Sequence, residues 1–201
     1  MDGPKQLGDF LVEFVARDEV IGLLSELGVH EVVETEGYAY LELSGNEDIV
    51  HLHLAASSSS TPPREGASVI AVDAERIAHA VELIIHKLRL SQVILFPVAK
   101  WRNVFDAVAF SLADNEEWQA VDTAATVELN TRDPLLCEPG DFHTLNALIE
   151  ALLRDGEGAE QGLLITTTAT PLVVHLIPDG TMLISVGNAV IADEVAETFS
   201  N

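Results

Sequence analysis

The sequence predicts an α+β protein made of two related units, each a helix, a three-stranded antiparallel meander and a second helix, with the helices packed on one face of the sheet. Three observations carry this expectation. A strand-then-helix pattern is written twice, the strand segments are joined by short polar turns, and amphipathic helical patterns flank each group of strands.

Residues 69–81 align with 183–195 so that Ile70 matches Ile184, Val72 matches Val186, Ile77 matches Ile191, Ala78 matches Ala192 and Val81 matches Val195. Alternate strand residues share a face and helix residues four apart share another, so the repeated pattern is that of a core. Upstream, IVHLHL matches VVHLIP, which sets His51 opposite His175, and GYAYLEL at 37–43 matches GLLITTT at 162–168. The tripeptide GDF stands at 8–10 and again at 140–142, each time beside an amphipathic pattern. The turns SGNED and IPDGT are short and polar, as hairpin connections require. In the first unit the last two strands are instead joined by residues 55–67, AASSSSTPPREGA. Because a tight turn suffices in the second unit, this longer stretch reads as an added surface loop, with a mobile lid or partner-contacting loop as the functional alternative.

The chain divides into a first unit with one extra strand (1–98), a connecting helix and strand (99–138) and a second unit (139–201). Gln92–Val98 is a continuous apolar run, the mark of a strand buried on both faces. Trp101, Val104, Phe105, Val108 and Leu112 then fall at helical spacing, with Phe110 on a second face, and a further strand is expected over Ala124–Leu129. No low-complexity linker separates the units, so one continuous core is expected.

At 201 residues, 48% hydrophobic and 21% charged, the composition is globular. No apolar run approaches the roughly 20 residues of a membrane span, and the start MDGPKQLGDF has no signal-peptide pattern, so the expected setting is cytoplasmic without membrane partners. The formal charge of −23 repels a phosphate backbone and argues against nucleic acid, while it suits solubility or the attraction of basic partners. A single cysteine, Cys137, excludes an intrachain disulfide and a zinc site with two cysteines.

Several constellations invite chemistry. His51 and His53 share a strand face, and the internal alignment adds His175, so the three could hold a divalent metal if their strands met. The plainer reading puts Val50, Leu52 and Leu54 in the core and the histidines on the polar side. Glu75, His79, Glu82 and His86 form one helical stripe, opposite Ile77, Val81, Ile84, Ile85 and Leu88, which makes it a solvated face. Cys137, Asp141 and His143 suggest a thiol nucleophile, but Asp141 suits a helix N-cap and Glu138 would raise the thiol pKa. No GxSxG, GxxxxGK[ST] or GxGxxG pattern is present. Lys87, Arg89, Lys100 and Arg102 bracket the central strand as the one basic stretch, a candidate site for an anion or an acidic partner, although Lys87 and Arg89 also complement a helix C-terminus. Val173 and Ile177 share the face of His175, and such a semi-apolar face must be covered by the other unit or by another subunit.

The element order helix, three-stranded meander, helix, in so acidic a chain, resembles that of type III secretion chaperones and related chaperone-like domains, over residues 5–98 and in shorter form over 140–199. The resemblance implies a dimeric, non-catalytic protein that binds extended segments of a partner. The expected function is therefore a non-enzymatic interaction or adapter module forming a homodimer. The alternatives are a small metal-dependent enzyme using His51, His53 and His175, and an anion-sensing domain using Lys100 and Arg102.

Overall fold

A computed structural model of the protein describes residues 13–33, 39–43, 48–56, 62, 65–114, 131–155, 163–177 and 181–200. The expected strand over 124–129, the turn SGNED at 44–48 except its last residue, the first GDF and most of the 55–67 connection lie outside the described residues.

The fold is α+β. Its strands are β1 (Glu13–Phe14), β2 (Val29–Val33), β3 (Ala39–Leu43), β4 (Val50–Ala56), β5 (Ser68–Val72), β6 (Val93–Pro97), β7 (Leu135–Cys137), β8 (Leu163–Thr167), β9 (Leu172–Ile177) and β10 (Thr181–Val186). The helices are α1 (Arg17–Glu26), α2 (Ala74–Ala78), α3 (Ala80–Leu88), α4 (Trp101–Val108), α5 (Phe142–Asp155) and α6 (Ala189–Phe199). One mixed sheet runs β1-β7-β6-β8-β9-β10-β4-β5, and β2 and β3 form a separate antiparallel pair. The sheet thus draws strands from both halves of the chain.

The second unit is the expected antiparallel meander, β8-β9-β10. The first is not: β3 pairs with β2, β4 lies antiparallel to β10, and β5 runs parallel to β4. The repeated sequence pattern marks a shared step from strand to helix within the core, because Val72, Ile184 and Val186 are all buried beneath Ile77, Val81 and Val195. It does not mark a shared pairing. The parallel pairing also corrects the reading of residues 55–67 as an addition. β4 ends at Ala56, and β5 begins beside Leu52 rather than beside Ala56, so the chain must travel back along the strand before pairing. A tight turn cannot make that return, and a longer connection is required by the topology.

The helices do not all lie on one face, which corrects a second expectation. α2 to α6 cover the face carrying Leu54, Leu95, Ile165, Val174 and Ile184. α1 covers part of the other, where Val20, Leu24, Leu27 and Val29 pack on Ile94, Phe96, Leu164 and Val173. The face around Val173 is therefore closed by the chain's own first helix. β6 lies between these layers, and all of Val93–Pro97 is buried, as the continuous apolar run required.

Two arginines that the sequence pattern leaves unmarked fix helices to this frame. The Arg17 guanidinium stacks 4.0 Å over the Phe96 ring and donates to the carbonyls of Pro97 (3.1 Å) and Arg132 (2.6 Å), tying the start of α1 to the end of β6. Arg76 on α2 donates to the carbonyls of Thr198 (2.8 Å) and Phe199 (3.3 Å), the unsatisfied C-terminal end of α6. No basic residue lies in the last turn of α6 itself, so Arg76 supplies that charge from another helix. Arg76→Ala is expected to cost about 1–2 kcal/mol and to fray the end of α6, read as a lower urea midpoint with faster amide exchange at 197–200.

The helical pattern over 74–88 is broken at His79, whose backbone (φ −104°, ψ 6°) separates α2 from α3. α2 packs on β4, α3 packs on α6, and both meet α5.

Candidate functional site

The sheet register places all three candidate histidines on one face. Leu183 of β10 lies between His53 of β4 and His175 of β9, and Ser185 lies opposite His51. His53 and His175 are thus two strand spacings apart, roughly 10 Å, which is wide for imidazoles that must approach a metal to about 2 Å. Among the described residues no group of three His, Cys, Asp or Glu is arranged to hold a metal ion. His51 Nδ1 instead meets Ser185 Oγ at 2.8 Å. His53 is buried, whereas His175 is only partly buried by its exposed surface, and desolvation lowers its pKa from 6.5 to about 4.

The four basic residues are not gathered into one site. Lys87 and Arg89 precede β6 and Lys100 and Arg102 follow it, so the length of that strand separates the pairs. Arg89 closes α3 in the left-handed conformation (φ 51°, ψ 46°), with the Leu90 amide donating to the Ile85 carbonyl. Beside it is an open concavity of about 1010 Å³ that also receives Glu194, so an anion there would meet both signs of charge. Arg102 lies 3.9 Å from Asp106, one turn along α4.

Cys137 is fully buried on the helix-covered face, opposite Val93, whereas His143 is exposed at the start of α5. The stripe of Glu75, His79, Glu82 and His86 is exposed, and His79 sits 3.7 Å from Glu82. Glu82, His86, His143 and Asn146 rim a trough of about 460 Å³ between α3 and α5, floored by Val81 and Ile149. It is apolar below and polar above.

β5 is an open edge of the sheet among the described residues. Among the described residues it pairs only with β4, and it ends the sheet. Its sequence, Ser68-Val69-Ile70-Ala71-Val72, carries no charge and no proline, the devices that ordinarily guard an edge. Ser68, Val69 and Ala71 are exposed, Val69 by 54%, while Ile70 and Val72 turn toward the core. Exposed carboxylates flank the strand in sequence, Glu65 before it and Asp73 and Glu75 after it. Sequence reasoning read this segment as a core strand by analogy with β10, because both carry the same alternating apolar positions. The signal that separates them is the long connection before β5, which a parallel neighbour requires; its length does not place the strand at the edge of the sheet.

No family model, curated protein or solved structure matches the chain. No described helix is long and apolar enough to cross a membrane.

Proposed function

We propose that the protein is a non-enzymatic interaction module that accepts an extended strand of another protein along β5. The observation that carries this reading is an exposed, uncharged, five-residue edge strand whose outer backbone groups have no described partner strand. A strand added there gains main-chain hydrogen bonds from the edge and side-chain contacts with Val69 and Ala71, the mode by which peptide-binding sheets recognise extended ligands. The reading agrees with one part of what the resemblance to secretion chaperones implies, the holding of extended partner segments without acting on them; the dimer that the resemblance also implies is a separate expectation.

Replacing Val69 and Ala71 together by lysine guards the edge at two exposed positions and leaves the core intact. A peptide selected on the wild-type protein from a random library is expected to bind this variant at least about tenfold more weakly, by fluorescence anisotropy, with the circular dichroism spectrum unchanged. Unchanged affinity would remove β5 from the function.

A further inference from the structure

We infer that the strand received by β5 is basic: an extended segment of a partner protein with apolar residues alternating along one face and lysine or arginine near both ends. This rests on β5 being the docking edge. The middle of the edge is apolar at Val69 and neutral throughout, so the occupant's centre must be able to lie beside valine and alanine without burying a charge. The ends differ. Glu65 stands a few residues before the strand, and Asp73 and Glu75 follow it directly, all exposed. A strand that matches β5 in length brings one terminus toward Asp73 and Glu75 whichever way it runs, so an acidic segment meets like charge there and a basic one is attracted. At the other end Glu65 follows Arg64 in sequence, and the chain's overall charge sets the preference.

The rest of the molecule acts in the same direction. The whole chain carries −23, so a cationic segment is drawn in from a distance and an anionic one is slowed. A second copy of this chain is the poorer occupant, because it carries the same formal charge of −23 and the two molecules repel at long range. An edge that is uncharged in its centre, in so acidic a chain, therefore discourages self-pairing while it favours a basic partner.

The test uses three fluorescein-labelled peptides and the full-length protein at low salt. The first alternates valine and threonine between terminal lysines, the second has glutamates for the lysines, and the third is the lysine peptide N-methylated at every residue, which removes the strand donors of both edges without altering charge. The lysine peptide is expected to bind at least about tenfold more tightly than the glutamate peptide, and this preference is expected to shrink with added salt. N-methylation should abolish binding, and the bound lysine peptide should slow amide exchange across Ser68–Val72. In the variant Glu65→Gln, Asp73→Asn, Glu75→Gln, the preference should fall toward unity while the glutamate peptide binds at least as well as before.

Equal binding of the lysine and glutamate peptides, lost on N-methylation, would overturn the basic partner and leave the docking edge standing. Equal binding of the N-methylated and parent peptides, or no binding by any of them, would overturn both. Native mass spectrometry completes the test: a dimer dispersed by the Val69→Lys, Ala71→Lys variant would show that the occupant is a second copy, and the basic partner would fall. The expected result is that this variant leaves the oligomeric state of the wild type unchanged.

Discussion

Trp101→Ala is expected to destabilise the protein by about 3–5 kcal/mol, the range for emptying a large aromatic site in a packed core. The indole is fully buried at the first turn of α4, tilted against Phe105 with ring centroids 6.1 Å apart. Its Nε1 donates to the Asp133 carbonyl at 2.9 Å, and its backbone amide donates to the Thr131 carbonyl at 3.1 Å. Truncation therefore opens a cavity and leaves the Asp133 carbonyl without this donor, so two penalties fall together. Trp101→Phe keeps most of the volume and loses the hydrogen bond, and it should cost clearly less, about 1–2 kcal/mol. Urea unfolding of the two variants separates the contributions. If they lost the same stability, the hydrogen bond rather than the cavity would dominate, and the account of this core would be wrong. If both were neutral, α4 would not be anchored through Trp101 at all.

The same residue shows what the sequence reveals and what it conceals. That Trp101, Val104, Phe105 and Val108 line one helix face is written in their spacing, and all four are buried; Leu112, expected on the same helix, is also buried but lies in the turns beyond its end. That Phe110 falls elsewhere is equally legible, and it is 91% exposed. The pairing of Trp101 with residues 131–133 is not legible, because a carbonyl acceptor has no residue identity that a pattern could show. Arg17 and Arg76 were missed for the same reason, since each donates to backbone carbonyls distant in sequence. Strand pairing fails in another way. The alternation in Val69–Val72 and Leu183–Val186 is alike, and alternation reports which face is buried, not whether the neighbour is parallel. The long connection before β5 is compatible with a parallel neighbour, but no pattern in the sequence places the strand at an edge, so the edge site was not legible there.

A pH titration of stability isolates His175. Burial lowers its pKa from 6.5 to about 4 in the folded protein, so the native imidazole stays neutral where the unfolded chain's imidazole takes up a proton. Above 6.5 both states are neutral and the group has no pH-dependent effect. As pH falls from 6.5 toward 4 the unfolded state binds more protons, so stability falls, and below 4 both states are protonated and the slope ends. The span of this window corresponds to a loss of up to about 3 kcal/mol. Carboxylates titrate in the same range, so the informative quantity is a difference between two proteins. His175→Leu suits this use because Leu164 and Leu183 already sit beside the position on the flanking strands. The stability of the wild type minus that of the variant, from urea unfolding at successive pH values, should be flat above neutrality and should decline by about 3 kcal/mol between 6.5 and 4. Parallel curves would mean that the His175 ring reaches solvent in the folded protein, and the burial of that sheet face between β8 and β10 would have to be abandoned. A decline confined to this window would show that a histidine offered by the sequence as a metal ligand serves the fold as a neutral, desolvated side chain that limits its stability in acid.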